Sequence, residues 1–338
     1  MINIRQMLEA EEHTRLDPKA AFSDSTKGRF GQLVFDETDV RTNYQRDIDR
    51  IVHCKSFRRL MHKTQVFLNP EGDHYRTRMT HTLEVARIGR TIANALRLNE
   101  DLTEAIAMGH DLGHTPFGHA GEAALSACIG KPFRHNEQSL RVVDYLEHNG
   151  KGLNLTYEVR MGILGHTGPE IPETLEGRIV RLSDRIAYIN HDIDDAMRAG
   201  ILTDADIPRD ILLTLGENHS QRINTLVCDM IRTSMENGGI SLSDPVQNAL
   251  GDLREFMFER VYRNPVAKGQ ESKAKDMLQR LYHYYFEHPE ALPADFQPQV
   301  SFEGLERIVC DYIAGMTDNY AVDKYTEIFV PAGWQVRG

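Results

Sequence analysis

The sequence predicts an all-α protein, a helical core with additional C-terminal helices and little or no β-structure. Three observations carry this. Strand-type alternation is scarce across 338 residues. Two long stretches, Thr80–Leu98 and Arg178–Met197, place apolar residues at near-3.6 spacing. Residues 205–338 are helix-rich, and no heptad array, internal repeat or low-complexity tract interrupts the pattern.

In chain order, residues 1–20 read as a short polar helix and 21–31 as a Ser/Gly loop, with Gln32–Phe35 able to form one short strand. From Asp39 to about Val66 the pattern is helical, with Ile48, Ile51, Val52, Phe57, Leu60 and Met61 on one side. Residues 69–76 break it. The helix from Thr80 carries Val85, Ile88, Ile92, Ala95 and Leu96 on its apolar face and His81 in its first turn. A turn at 99–101 precedes a short apolar helix, Leu102–Met108, that ends at His110-Asp111. Another helix starts after Pro116, and further ones cover Phe133–His148 and Leu155–Leu164. In Arg178–Met197 the stripe Ile179, Leu182, Ile186, Ile189, Ile193 steps by 3, 4, 3 and 4. Asp184, Tyr188 and Asp192 therefore form a separate face, turned either to solvent or to a pocket. Breaks are expected at 263–271 and 288–298, and Tyr282, Tyr284, Tyr285 and Phe286 between them read as packing residues. The expected organisation is an N-terminal segment 1–56, a core 57–204 and a helical region 205–338 packed on it.

Composition sets limits. With 41% hydrophobic and 26% charged residues the chain can bury a sizeable core. No apolar run approaches the roughly 18 residues of a membrane span, and the first residues lack the apolar region of a secretory signal. Cys54, Cys128, Cys228 and Cys310 are far apart without C-x-x-C spacing, which suits reduced thiols and a cytoplasmic location. A net charge of −11 disfavours a protein coated with nucleic acid. Residues 41–97 nevertheless hold twelve Lys/Arg against five Asp/Glu, a local patch suited to a compact anion such as a polyphosphate.

That basic segment leads to His110-Asp111-Leu112-Gly113-His114-Thr115-Pro116-Phe117-Gly118-His119-Ala120-Gly121-Glu122, where three histidines and two carboxylates fall within thirteen residues. Asp and Gly are ordinary turn residues, but a plain turn has no use for three imidazoles. His81, His110-Asp111 and Asp184, on three different helices, offer two imidazoles and two carboxylates, a mixed donor set suited to Mn²⁺, Mg²⁺ or Fe²⁺. Such an ion polarises a phosphoryl oxygen and lowers the pKa of bound water. Arg58, Lys63 and Arg78 could neutralise other phosphates. His119 and Glu122, three apart on one helical face, form a natural acid/base pair. The residues alone thus point to a metal-dependent phosphohydrolase.

The H…HD…D order of His81, His110-Asp111 and Asp184 resembles that of the HD superfamily. FRRLMHKTQVF (57–67), YRTRMTHTLEVARIGR (75–90), HDLGHTPFGHAGE (110–122), FRHNEQS (133–139), RLSDRIAYINHDIDDA (181–196) and DYIAGMTDNYA (311–321) together resemble, across almost the whole chain, the deoxynucleoside-triphosphate triphosphohydrolase (dGTPase-like) family. The resemblance implies His81, His110, Asp111 and Asp184 as metal ligands. Asp184 is preferred over Asp192, Asp194 and Asp195 because it precedes the Ile-Ala-Tyr of its motif. It implies His119 and Glu122 as the catalytic pair, with His114 and His135 on the phosphate side, although some relatives carry a small amide at the position of His114. Arg78 and Arg185 would contact phosphates, and Gln65 would sit near sugar or base. Tyr188 would lie under the deoxyribose and exclude a 2′-hydroxyl, and Asp192 would accept from the 3′-hydroxyl.

The implied reaction is hydrolysis of dGTP or other dNTPs at the α-phosphorus to deoxynucleoside and tripolyphosphate, controlling dNTP pools. Homo-oligomers, activation by a second dNTP and weak single-stranded DNA binding are further expectations of the resemblance. The rival readings are an HD monophosphatase or phosphodiesterase, which needs the basic segment less, and a non-catalytic nucleotide- or single-strand-binding regulator, against which an intact His119–Glu122 pair argues.

Overall fold

The computed structural model describes residues 3–31, 38–65, 76–263 and 265–331, and only the backbone of 204 and 265–269. Among them the architecture is helical throughout. The only extended pairings are two isolated bridges, Arg29 with Thr156 and Thr64 with Thr77. The expected strand Gln32–Phe35 and most of the break at 69–76 lie outside the described residues. No described helix is long and apolar enough to cross a membrane.

Helix starts follow local capping chemistry. Thr42 and Thr77 each form a reciprocal capping box, opening Asn43–Val52 and Arg78–Ala95. Asn99 caps Glu100–Gly109, and Thr174 caps Leu175–Arg198. The single helix expected over 39–66 is instead divided. It stops at His53, and the Cys54 thiol caps a short second helix, Lys55–Arg59, by accepting from the Phe57 amide at 3.3 Å. The stretch 133–148 is likewise shorter than expected, with an α-helix at His135–Arg141 passing into a π-turn at Val142–Leu146.

The largest departure is the helix Pro265–Glu287, which begins inside the break expected at 263–271. Proline has no N–H to lose at a first helical position, so Pro265 opens a helix where sequence reading sees only an interruption.

Two apolar cores result. The first gathers the helices Arg78–Ala95, Glu100–Gly109, Tyr157–Gly165 and Leu175–Arg198, with the segment 202–261 packed beside them. Val85, Ile92, Ile106, Ile163, Ile179, Ile186 and Ile193 are fully buried there. Each contributes about 1.5–3 kcal/mol of burial. The stripe read from 178–197 is thus the core face. The second core sets the helix His119–Ile129 against Pro265–Glu287 and Leu305–Ala314, around Leu125, Leu278, Leu281, Ile308 and Ile313. Tyr282 and Tyr285 are buried in it, whereas Phe286 is exposed. The segment 110–119 runs from one core to the other.

Candidate active site

Each donor sits at a place its helix dictates. His81 lies in the first turn of Arg78–Ala95, His110 is the C-cap of Glu100–Gly109, and Asp184 projects from the middle of Leu175–Arg198. His81 Nε2 is 3.1 Å from Asp184 Oδ1 and 4.0 Å from Asp111 Oδ2. His110 Nε2 is 3.4 Å from Asp111 Oδ1 and 3.8 Å from Asp184 Oδ1. Donor atoms of His81, His110 and Asp111 all lie within 4.8 Å of one another. His110 donates Nδ1–H to the Ala107 carbonyl at 2.6 Å, which leaves Nε2 as a bare acceptor, buried and without a hydrogen-bond partner among the described residues. An orphaned imidazole nitrogen aimed at two carboxylates fits a divalent cation with N/O preference. Burial would raise the carboxyls of Asp111 and Asp184, but the surrounding imidazoles override it and hold both below the usual range.

The intervening loop is built for close approach. A Cβ on Gly113 would stand 2.1 Å from the Ser139 amide nitrogen, so only glycine lets this loop lie on the helix that carries His135. Phe117 and Gly118 both adopt positive φ (60° and 54°), and a Cβ on Gly118 would press on the Arg78 guanidinium at 2.9 Å. This turn delivers His119 as the first residue of its helix.

His119 Nδ1 is 3.4 Å from Glu122 Oε2 and its side chain is 86% exposed, while His135 donates Nδ1–H to Glu122 Oε1 at 2.6 Å. The hydrogen bond to Glu122 raises the pKa of His119, so its imidazole holds a proton more firmly than a free one. Burial works against the Glu122 charge, yet the bonds from His119 and His135 keep it well below the ordinary carboxylate range. His114 stacks on His135 (centroids 3.9 Å apart) and places Nε2 3.2 Å from Asp111 Oδ1. Burial pushes His114 well down, and His166, behind it, down to about 3.

These groups open onto a chamber of about 570 Å³, within the size range of small-molecule sites. Gln65, Arg78, His81, Asp111 and Asp184 reach its wall, as do His114, His119, His135, Tyr188 and Asp192, whereas His110 and Glu122 stand behind it, against Asp111 and His119. The face Asp184–Tyr188–Asp192 is therefore pocket, not solvent. Gln65 Oε1, Arg78 Nε, His114 Nδ1 and Asp192 Oδ1 are buried with no hydrogen-bond partner among the described residues. A cluster of unmet polar atoms around one cavity is what a polar ligand would satisfy. Burial raises the Asp192 carboxyl to about 7, although the Tyr262 hydroxyl donates to it.

Three expected substrate contacts fall elsewhere. Arg58 is exposed and donates to the His53 carbonyl at 2.9 Å. Lys63 is buried behind the loop, where its ammonium donates to the carbonyls of His114 and of Ala314 (2.9 Å to the latter). Both cations are thus committed to backbone oxygens, which local charge density cannot reveal. Arg185 is half-buried beside Asp184, near enough to act on the Tyr188 hydroxyl, but it does not line the chamber wall.

Sequence reading in turn missed Arg254, Phe258 and Tyr262, which line the chamber with Tyr188 and Asp192 although distant from them in the chain. They recur four apart, and this shared helical face was the available signal. Glu271 and Lys275 also line the chamber, from the helix hidden behind Pro265.

Comparison with known proteins follows the same outline. An HD domain model matches residues 78–189, and a phosphohydrolase-associated domain model matches 240–327. The chain is 54% identical over 333 residues to a deoxyguanosinetriphosphate triphosphohydrolase-like protein of Caldanaerobacter subterraneus subsp. tengcongensis, covering 98% of each chain. It is 47% identical over 341 residues to the like-named protein of Clostridium tetani, covering 98% of this chain and 97% of that one. The like-named protein of Desulfatibacillum aliphaticivorans is 47% identical over 349 residues, covering 98% and 99%.

Proposed function

Because the chain belongs to the HD-superfamily, deoxyguanosinetriphosphate triphosphohydrolase-like family and is a phosphohydrolase, we propose that it hydrolyses deoxynucleoside triphosphates, dGTP among them, at the α-phosphorus and so limits dNTP pools. The observation that carries this reading is one chamber lined by His81, Asp111, Asp184 and His119, with His110 and Glu122 against them, and by four unpartnered polar atoms.

HD domains are metal-dependent, and Mn²⁺, Mg²⁺ or Fe²⁺ held by those four donors would polarise an α-phosphate oxygen and make water more acidic. The chain's own side chains supply the rest. Arg78, buried and anchored on Asp111 at 3.0 Å, presents its free Nε–H to phosphate oxygens, and Arg254 adds a second guanidinium. Water adds to the α-phosphorus as the bond to the 5′-oxygen breaks. The proton which that oxygen needs to leave as a hydroxyl comes from His119, and Glu122 keeps the imidazole charged and oriented. Tyr188 floors the sugar site, and Asp192 accepts from the 3′-hydroxyl. His114, His135 and Gln65 complete the polar lining, and Arg185 would need to rotate in to reach a phosphate. Positioning and charge neutralisation supply most of the acceleration in such a reaction.

The same reading takes residues 57–204 as the hydrolase core and the protein as a cytoplasmic homo-oligomer, with a second dNTP as activator and weak affinity for single-stranded DNA. Purified protein incubated with each dNTP, singly and mixed, with Mn²⁺ or Mg²⁺ tests it. Tripolyphosphate plus deoxynucleoside is expected, and a requirement for mixtures would reveal the activator. Orthophosphate as the product would replace the reading with that of another HD hydrolase.

A further inference from the structure

The motif 133–139 ends on a serine to which neither the donor set nor the acid/base pair gives a role. Ser139 is fully buried in the helix His135–Arg141 and does not reach the chamber wall. Its hydroxyl donates to the His110 carbonyl at 2.7 Å and accepts the Gly113 amide at 2.8 Å. These two contacts flank Asp111-Leu112. One oxygen therefore closes both ends of the turn that carries two of the four donors.

The chain is shaped around this contact. A Cβ on Gly113 would meet the His135 carbonyl at 2.6 Å as well as the Ser139 amide nitrogen, so the turn rests directly on the backbone of the serine's helix. His110 ends its own helix, where carbonyls lack an intrahelical partner, and the Ser139 hydroxyl supplies a donor there. The serine's helix is held in turn by Asn136, which donates to the Leu164 carbonyl at 2.7 Å. The donor side chains are aimed by other groups. The Ala107 carbonyl fixes the His110 ring, and Arg78 holds the Asp111 carboxylate at 3.0 Å. Those contacts set direction only if the main chain from which both side chains spring is itself fixed, and Ser139 fixes it.

We infer that Ser139 is a positioning residue that sets the affinity of the metal centre through the main chain of His110 and Asp111, an inference that rests on reading those two as ligands. Loss of an outer partner that orients a metal ligand typically weakens metal binding about 10–100-fold, and Ser139 holds the backbone beneath two ligands. A serine needed only for folding would behave differently. Its removal would lower stability, while the folded molecules would bind metal as before.

The test is a titration of metal-free, full-length protein with Mn²⁺, the free ion being read by its six-line electron paramagnetic resonance signal, beside dGTP hydrolysis over the same Mn²⁺ range. Ser139→Ala should bind Mn²⁺ about 10–100-fold more weakly than wild type. Its hydrolysis should be lost at low Mn²⁺ and return as Mn²⁺ is raised, with KM for dGTP unmoved at saturating Mn²⁺. Ser139→Cys, whose thiol is a weaker donor and acceptor, should fall between. Circular dichroism melts show how much of each variant is folded, and Ser139→Cys carries the test if Ser139→Ala does not fold. A lowered Tm with Mn²⁺ affinity unchanged in the folded protein would overturn the inference and leave the proposed function intact. A wild type that binds no Mn²⁺ would remove the ligand set, and the inference with it.

Discussion

Asp318 is the residue through which the C-terminal helices hold the catalytic turn, and its removal should be felt at a site it never touches. The carboxylate is 3% exposed and accepts three hydrogen bonds: from the Phe117 amide at 2.9 Å, the Thr64 amide at 3.0 Å and the Thr64 hydroxyl at 2.6 Å. In Asp318→Ala the Thr64 hydroxyl can turn to another acceptor, but two amide N–H groups lose theirs. Leaving a buried donor unsatisfied costs about 1–3 kcal/mol. Phe117 is buried and bears the full cost, whereas Thr64 is half-buried and water recovers part of its share. The expected loss is about 3 kcal/mol, or about 6–12 °C in Tm at the roughly 2–4 °C per kcal/mol of large domains.

The freed amide belongs to a residue at φ 60°, a conformation that itself costs about 1–2 kcal/mol for a side chain with a Cβ. Without the carboxylate the turn relaxes, and His119, two residues on, moves. Hydrolysis should fall at least tenfold while metal content stays at the wild-type value, because His81, His110 and Asp184 are held by helices of the first core and Asp111 is anchored on Arg78. Asp318→Asn, which keeps one acceptor oxygen, should fall between. Chemical denaturation, metal analysis and product formation on the same preparations decide it. Asp318→Ala with stability within 0.5 kcal/mol of wild type (roughly the scatter of a neutral surface change) and full activity would refute the reasoning.

Four further outcomes are expected. His110→Ala should lose the ion and the activity together; metal content at the wild-type level would remove His110 from the donor set. Glu122→Ala should keep the ion at His81, His110, Asp111 and Asp184 but turn over about 10²–10⁴-fold more slowly, and a near-normal rate in steady-state assays would dissolve the acid/base pair. Tyr188→Ala should narrow the preference for deoxy- over ribonucleotides, measured as a ratio of kcat/KM values; an unchanged ratio takes Tyr188 out of the sugar site. Burial pulls the Lys63 ammonium down to about 7. Since the unfolded chain protonates near 10.4, it binds more protons than the folded one between those values, and stability should rise with pH across that window. In Lys63→Met that part of the slope should vanish from denaturation curves taken at pH 7 and 9; an unaltered slope would mean that Lys63 stays charged in the fold.

What could be read from the sequence was whatever depends on neighbours in the chain. The stripes of 80–98 and 178–197 became the faces of the first core because period and burial are one fact seen twice. The three donor-bearing helices were readable for the same reason, down to His81 in a first turn and His110 at a helix end. The misplacements of Arg58 and Lys63 have the opposite cause: a run of basic residues records charge but not direction, and Lys63 spends its ammonium on carbonyls 51 and 251 residues away. Asp184, Tyr188 and Asp192 showed a common face without showing what it meets. Arg254 and Tyr262 supply that answer across a separation that no local pattern records.

The two cores divide the chemistry between them. His81 and Asp184 belong to helices of the first core, His110 ends another, and Asp111 follows it, held by Arg78; packing around Val85, Ile106 and Ile186 fixes these helices. The chamber wall depends on more distant parts of the chain: Tyr262 reaches Asp192, Ala314 anchors Lys63 behind the His114 carbonyl, and Asp318 holds Phe117. The phosphohydrolase-associated match, 240–327, contains Tyr262, Ala314 and Asp318 and none of the donors, while the HD match, 78–189, contains every donor. Perturbations in the second core should therefore loosen substrate positioning and leave the metal in place, raising KM and lowering kcat together. Perturbations in the first core should release the metal before the chamber opens.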